Sequence, residues 1–207
     1  MSVWSWWQSV TQWARPEPTP IPPAPSDMLG AATLPHVVVP ERIPAKHVAV
    51  LVRSVLTVME ARDGIRQSPE ADMMMVAISG QEAAWEHRNQ IVTGKPAHVI
   101  GPATGLWQFE RGGGVAGVLR HKASATIALR WCRAESVDAS PDAVWRALVV
   151  NDRLACVFAR LLLWTDPRPL PGDQDAAWDY YIRNWRPGKP HAKAWAANWA
   201  ASKAALS

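Results

Sequence analysis

The chain has 207 residues, of which 48% are apolar and 19% charged, and it carries a formal net charge of +4. This length accommodates one domain of ordinary size with additional segments, and the apolar content allows a substantial core. Lys and Arg are scattered, without a basic stripe or a nucleic-acid-binding module, so we expect no nucleic-acid partner. Thirteen Trp stand against two Tyr and two Phe, and Trp suits both core packing and contact with sugar rings.

Disulfides, cofactor sites and targeting segments are not indicated. Cys132 and Cys156 lie in apolar, helix-like stretches, where an unpaired cysteine behaves as a small hydrophobic residue. The six His are dispersed without the spacing of metal ligands, so we predict no metal and no other cofactor. We expect no signal peptide, because the N-terminus lacks a basic n-region and an unbroken apolar h-region. We expect no transmembrane helix, because Arg153 and Arg160 interrupt the most hydrophobic stretch.

The first 44 residues divide into two segments. Residues 1–14 carry no charged side chain and place Trp6, Val10 and Trp13 at helical spacing, which predicts a short amphipathic helix. Such a helix binds a membrane interface, a partner protein or its own domain, and its lack of Lys and Arg favours docking on a protein. Residues 15–44 are predicted to be a Pro-rich linker of extended polyproline geometry.

Residues 45–207 are predicted to form an all-α domain, since helical apolar stripes follow one another and no alternating strand pattern is found. Gly64 is placed to end the first helix. Ser68 and Ser140 each precede a proline and acidic residues, the pattern of an N-cap followed by a first helical turn. The first stripe contains Val48, Leu51, Val52, Val55, Leu56 and Met59.

The later part of the domain is predicted to contain four further helices. One runs from Ser140 to Asp166, with Asn151 as a buried amide that interrupts its apolar stripe. Another passes through Leu119, Ile127 and Trp131 after a Gly-rich turn at residues 112–114, which we expect to end or redirect a helix. The last two carry the helically spaced pairs Trp178 with Tyr181 and Trp195 with Trp199.

The helix that begins after Ser68 carries Glu82 on its apolar face, near its C-terminal end. Counting back from Glu82 by four and seven gives Ile78 and Met75, and counting forward by three gives Trp85. A carboxyl group in such surroundings loses hydration, which raises its pKa. A general acid needs this property near neutral pH. The alternative is an acid at the helix edge that pairs with Arg88 or another cation.

A loop over residues 87–104 is followed by Gly105-Leu106-Trp107-Gln108. The apolar helix ending in Glu82, the loop and this tetrapeptide together resemble the lysozyme-like superfamily, especially lytic transglycosylases and the cell-wall-cutting proteins carried in phage particles. The resemblance implies a lysozyme-like all-α fold, peptidoglycan as the substrate and Glu82 as the catalytic acid. It also implies that the tetrapeptide opens the next helix. Gln108, Trp107 and the backbone around Leu106 would then contact the glycan, with Gly105 allowing a close backbone approach.

A second likeness lies near the end, in the segment from Trp178 to Pro190. Transglycosylases often place a tyrosine from a late helix beside the catalytic glutamate. Tyr181 is the candidate for this position and Tyr180 the alternate.

The chain departs from the family pattern in two ways. Many transglycosylases have Ser directly after the catalytic Glu, whereas here it is Ala83. In addition, no second carboxylate is assigned by a motif. Glu86, one helical turn beyond Glu82, and Glu110 are candidates for a base or a sugar contact, with solvated or salt-bridged acids as the alternative.

The sequence therefore predicts a peptidoglycan-cleaving muramidase or lytic transglycosylase. A single assigned carboxylate leans towards the transglycosylase, since hydrolases commonly use two. The enzyme would be carried in a phage particle, or lie in the host cytoplasm before assembly, and would open the cell wall locally. Residues 1–14 would attach it to a tail or internal virion protein. The alternative is a catalytically inactive virion structural or adaptor protein with the same fold, which Ala83 favours.

Overall fold

The computed structural model of the protein describes residues 45–90, 101–188 and 190–207. The predicted N-terminal helix and linker, residues 1–44, lie outside this part of the chain, as does the middle of the loop before Gly101. The described residues form eight α-helices, one π-helical turn and one two-stranded hairpin. The prediction of a helical domain is confirmed, and the hairpin adds a small β element that the sequence analysis did not predict.

The helices are α1 (Ala45–Asp63), α2 (Pro69–Ala83), α3 (Ala116–Arg120), α4 (Ala125–Ala134), α5 (Pro141–Ala147), α6 (Asp152–Trp164), α7 (Gln174–Trp185) and α8 (Ala192–Leu206). The strands β1 (Ala103–Thr104) and β2 (Phe109–Glu110) pair antiparallel. A π-helical turn, Arg111–Val115, joins β2 to α3.

The predicted helix starts at the two Ser-Pro sequences are confirmed. The Ser68 hydroxyl accepts a hydrogen bond from the Ala71 N–H at 3.2 Å, and Ser140 accepts one from Ala143 at 3.3 Å. Each cap satisfies a donor that the first helical turn leaves without an intrahelical partner. The predicted end of α1 is also confirmed, because Gly64 takes the left-handed conformation with φ +70°.

The prediction of one helix from Ser140 to Asp166 is wrong, because α5 ends at Ala147 and α6 begins after Asn151. The Asn151 side-chain oxygen accepts from the Leu154 N–H at 2.9 Å, which makes it the N-cap of α6. Its amide nitrogen donates to Glu135 at 3.1 Å. Asn competes with the helical backbone for hydrogen bonds and so favours a cap over a helix interior.

The predicted helix through Leu119 and Trp131 is likewise two helices. The backbone turns to an extended conformation at His121, the C-cap of α3. The Ser124 hydroxyl then donates to the Val118 carbonyl at 2.7 Å and holds the turn before α4.

The Gly105–Gln108 tetrapeptide does not open a helix, contrary to the prediction. It forms the turn between β1 and β2, in which the Gln108 N–H donates to the Gly105 carbonyl at 2.9 Å. Gly105 has φ +75°, and a Cβ there would lie 3.0 Å from the Leu148 carbonyl oxygen. The close approach that Gly105 allows is thus to the backbone of Leu148, and the predicted approach to a glycan stays a prediction. The glycines at 112–114 belong to the π-helical turn that leads directly into α3, so they do not end a helix.

Helix α2 occupies the centre of the domain and packs against α1, α6 and α8. Most of its residues are buried, on all sides of the helix, as expected for a helix surrounded by others. The apolar stripe of α1 faces this core. Glu82 thus lies at the end of a deeply buried helix. Among the described helices, none has the length and apolar character needed to cross a bilayer.

Candidate active site

The end of α2 determines where Glu82 lies. The helix stops at Ala83 because Ala84 and Trp85 both take left-handed backbone conformations, with φ of 49° and 56°. The indole of Trp85 folds back over Gly80, and its N–H donates to the Val76 carbonyl at 3.1 Å. The prediction that Trp85 continues the apolar face beside Glu82 is therefore wrong. Glu82 is left in the final turn of the helix.

Glu82 lines a cleft of about 1140 Å³. The walls come from the end of α2, β2, the π-helical turn, α3, α7 and the segment between α7 and α8. This volume is slightly above the range of pockets for small ligands, roughly 300–1,000 Å³. Polar side chains in the lining, besides Glu82, include Gln108, Glu110, His121, Tyr181, Arg183 and Asn184.

Tyr181 contacts the catalytic candidate directly. Its hydroxyl donates a hydrogen bond to Oε1 of Glu82 at 2.6 Å. The phenol ring is buried and stacks on Trp195, with ring centroids 5.3 Å apart and an interplanar angle of 14°. Trp178 packs at 5.4 Å. Because the ring is held by two indoles, the hydroxyl has a fixed position at the carboxyl group.

Tyr180, the alternate candidate, lies elsewhere. Its hydroxyl donates to the Leu163 carbonyl at 3.1 Å, within the core. Of the two neighbouring tyrosines, only Tyr181 lines the cleft. The two phenols differ because successive residues of α7 lie about 100° apart around the helix axis.

The environment of Glu82 raises its pKa to about 7. Burial is the main cause, since it disfavours the charged carboxylate. The hydrogen bond from Tyr181 stabilises the charged form and opposes this effect, whereas the negative charge of Glu110 adds to it. Burial and the neighbouring Glu82 raise the pKa of Tyr181, so the phenol remains a hydrogen-bond donor. Near neutral pH, Glu82 therefore exists in both protonation states.

An ion pair between Glu82 and Arg88 was the alternative that the sequence left open. The Arg88 guanidinium instead binds Asp152 through two hydrogen bonds of 2.7 Å each. No cationic side chain in the described part of the chain forms an ion pair with Glu82. A carboxyl group without a cationic partner keeps its raised pKa.

Gln108 and Glu110 both line the cleft. The Gln108 amide nitrogen donates to the carbonyl oxygens of His87 and Gly105, each at 2.9 Å. Both of its N–H groups are thereby used, so the amide oxygen is the atom suited to a ligand. Glu110 is exposed at the end of β2.

Trp107 and Leu106, predicted to contact the glycan, do not line the cleft. Both are fully buried. The Trp107 N–H donates to the Met75 carbonyl at 2.9 Å, inside the core. The prediction that Trp107 binds substrate is wrong, because an indole enclosed on all sides presents no face to a sugar ring. Only Gln108 of the tetrapeptide reaches the cleft.

Glu86 also lies outside the lining of the cleft. The prediction that it sits one helical turn beyond Glu82 is wrong, because α2 ends at Ala83. Its carboxylate lies 3.7 Å from Nε2 of His87.

Two further cleft residues on α7, which were not predicted from the sequence, share the face of Tyr181. Asn184 and Trp185 follow Tyr181 by three and four positions, a spacing that puts them on one side of a helix. Asn184 donates to Asp166 at 3.1 Å, and Arg183 lies 3.5 Å from the same carboxylate. The helical spacing from Tyr181 was the signal that could have identified them.

No family model, curated protein or solved structure matches this chain. A carboxyl group with a pKa of about 7 can donate a proton to a leaving oxygen and later accept one, and a cleft of about 1140 Å³ has room for a large ligand beside it.

Proposed function

We propose that the protein is a lysozyme-like enzyme that cleaves the glycan strand of peptidoglycan, with Glu82 as its general acid. One observation carries this proposal. Glu82 has a pKa raised to about 7 and lines a cleft of about 1140 Å³ without a cationic partner among the described residues. The motif order of Glu82, the loop and Gly105–Gln108 supports the lysozyme-like assignment, and the phage-particle location follows from that resemblance alone.

The reaction begins with the protonated Glu82 carboxyl. It donates its proton to the glycosidic oxygen as the bond from that oxygen to the sugar C1 breaks, through a transition state of oxocarbenium-ion character. The carboxylate that forms is stabilised by the Tyr181 hydroxyl, 2.6 Å from Oε1. Where no second carboxylate takes part, Glu82 then accepts the proton of the nucleophile that attacks C1; where Glu110 activates water, Glu110 accepts that proton instead.

The nucleophile decides the class of enzyme. Water gives a hydrolase, and the C6 hydroxyl of the cleaved sugar gives a transglycosylase that forms an anhydro ring. The presence of Glu110 in the same cleft favours the hydrolase, because a second carboxylate can activate water. Mass spectrometry of the products distinguishes the two, since reducing ends indicate hydrolysis and anhydromuropeptides indicate transglycosylation.

The test is zymography with purified peptidoglycan, comparing the wild type with Glu82→Gln. We expect the wild type to clear the substrate and the variant to lose about 10²- to 10⁴-fold in rate, the usual contribution of a general acid. Glu60→Gln is the matched control, because Glu60 is an exposed acid on α1. Equal clearing by both proteins would contradict the role of Glu82 as the general acid, and no clearing by the wild type would contradict the proposal and favour the inactive adaptor.

A second pair of variants tests whether the glycan occupies the cleft. Gly117 lines it and Gly112 does not, yet an added Cβ would contact nothing at either position. Gly117→Leu should raise KM about tenfold or more by narrowing the cleft, whereas Gly112→Leu should leave KM unchanged. Neither variant should lower the melting temperature, because Leu is a stronger helix former than the Gly it replaces. An unchanged KM in Gly117→Leu would argue that substrate binds elsewhere.

A further inference from the structure

His121 is held rigidly at the edge of the cleft. It is the C-cap of α3, where its N–H donates to the Gly117 carbonyl at 2.9 Å. Its own carbonyl accepts from the N–H groups of Ser124 and Ala125, at 3.0 and 2.9 Å. The backbone is therefore fixed on both sides of the residue, and the half-buried ring lines the cleft.

The hydrogen bonding of the ring fixes its tautomer. Nδ1 of His121 accepts a hydrogen bond from the Ala123 N–H at 3.2 Å. A ring nitrogen that accepts carries no proton, so in the neutral imidazole the proton is on Nε2. Within the described part of the chain, Nε2 has no hydrogen-bond partner. In this tautomer the ring has one N–H donor, Nε2–H, on a residue that lines the cleft.

The donors on the α7 side of the cleft differ from Nε2–H of His121, because they are either charged or already hydrogen-bonded within the protein. Arg183 carries a full positive charge and lies 3.5 Å from Asp166, and Asn184 already donates to Asp166 and Tyr180. A neutral donor suits a neutral oxygen, such as the carbonyl of an N-acetyl group or a sugar hydroxyl, since neither needs charge neutralisation.

We propose that Nε2–H of His121 donates a hydrogen bond to a neutral oxygen of the bound N-acetylated glycan and so determines where the strand lies relative to Glu82. This inference rests on the function proposed above. It assigns substrate binding to a residue that no motif of the sequence singled out.

The test measures Kd for soluble, N-acetylated peptidoglycan fragments by calorimetry, in the Glu82→Gln background that prevents turnover. His121→Asn keeps an oxygen acceptor for the Ala123 N–H but lacks the Nε2 donor. We expect its Kd to rise about fivefold to tenfold, the loss of one neutral hydrogen bond. His47→Asn, an exposed histidine on α1, is the control and should leave Kd unchanged.

The arms of the experiment also identify the acceptor. With N-deacetylated fragments, the effect of His121→Asn disappears if the acceptor is the N-acetyl oxygen, and it persists if the acceptor is a hydroxyl. His121→Gln places an amide N–H near the position of Nε2 and should recover part of the affinity. Wild-type affinity in His121→Asn, or equal weakening by Asn and Gln, overturns the proposal.

Two further readouts separate the possible failures. Long-range ¹H–¹⁵N spectra of the neutral His121 ring should show the Nε2–H tautomer, and the Nδ1–H tautomer would overturn the proposal. If the protein with His121 intact binds no glycan at all, the proposed function fails, and the role of His121 fails with it. If the protein binds glycan but the His121 variants bind it with the same Kd, the proposed function stands without a role for His121.

Discussion

Two carboxyl groups beside the cleft are both withdrawn from solvent, yet their acidities are opposite. Asp166, after the end of α6, accepts hydrogen bonds from Arg168 at 2.7 and 2.9 Å, and Arg168 holds the pKa of Asp166 far below its usual range. Glu82 accepts a hydrogen bond from the neutral phenol of Tyr181 and lies near the negative Glu110, and its pKa rises to about 7. Burial makes a carboxyl group a weak acid only where no guanidinium compensates it.

The two groups therefore have different consequences for the cleft. Asp166 stays charged and anchors the end of α7 through Arg183 and Asn184, both of which line the cleft. Glu82 changes its protonation state close to neutral pH and is suited to transfer a proton. Each of the following predictions breaks or sharpens this difference.

The largest expected effect is in the pH dependence of stability. Glu82 has a folded pKa of about 7 against an ordinary value of 4.5, so its contribution is fully present below pH 4.5 and is lost as the pH rises to 7. At about 1.4 kcal/mol per pKa unit, the loss is at most about 3 kcal/mol. Asp166 acts in the opposite direction, because stability is lost as the pH falls below its ordinary value of 3.8. Urea unfolding across this pH range should show a decline towards pH 7 that Glu82→Gln removes, and an identical pH profile in both proteins would refute this.

Removing the other carboxylate should destabilise the fold. Asp166→Ala leaves Arg168, Arg183 and Asn184 without their shared acceptor, and we expect a loss of about 2 kcal/mol in the free energy of unfolding. Asp138→Ala is the control, because Asp138 is exposed. A melting temperature equal to that of the wild type would show that the Asp166 cluster does not anchor α7.

The hydrogen bond from Tyr181 should be visible in the pH–rate profile. Tyr181→Phe keeps the ring against Trp195 but removes the donor that favours the ionised Glu82, so the pKa of Glu82 should rise further. We expect the limb of the kcat/KM profile on which Glu82 loses its proton to move to higher pH by about one unit. A shift of this size corresponds to the free energy of one hydrogen bond.

The neighbouring tyrosine provides the matched control for that variant. Tyr180→Phe also removes one buried phenol hydrogen bond, here to the Leu163 carbonyl, and should lower stability without moving the profile. A shift of equal size in both variants would mean that Tyr181 acts through the fold rather than through Glu82.

The smallest expected shift follows from the second acid in the cleft. Glu110→Gln removes a negative charge that raises the pKa of Glu82, so the limb should move to lower pH, by less than the shift in Tyr181→Phe. A fall in kcat of about 100-fold or more would additionally identify Glu110 as the group that activates water. A limb that moves upward would contradict the electrostatic account.

The features of the fold that depend on interactions between residues close in the sequence could be predicted from the sequence. Ser68 and Ser140 mark their helix starts because an N-cap acts within three residues, and the apolar stripe of α1 is set by helical periodicity. The position of Glu82 among apolar residues was predicted in the same way. The resemblance to the lysozyme-like superfamily led to Tyr181, which periodicity alone does not connect with Glu82.

The features that could not be predicted depend on contacts between residues distant in the sequence, or on competition between a side chain and the helical backbone for hydrogen bonds. The hydrogen bond between Tyr181 and Glu82 spans 99 positions, and that between Arg88 and Asp152 spans 64, so no periodicity reports either. Asn151 was predicted to interrupt the apolar stripe inside one long helix, yet its side chain caps the start of a separate helix, α6. Trp107 was assigned to substrate through the resemblance of its tetrapeptide to the lysozyme-like superfamily, and packing placed it in the core.

The most direct test of the account is an NMR titration of the Glu82 side-chain carboxyl carbon, in protein labelled with ¹³C at glutamate and assigned by comparison with Glu82→Gln. The account predicts a midpoint at a pH of about 7. A midpoint near 4.5, the ordinary value for glutamate, would contradict it, because a carboxyl group that is ionised at neutral pH cannot serve as the acid.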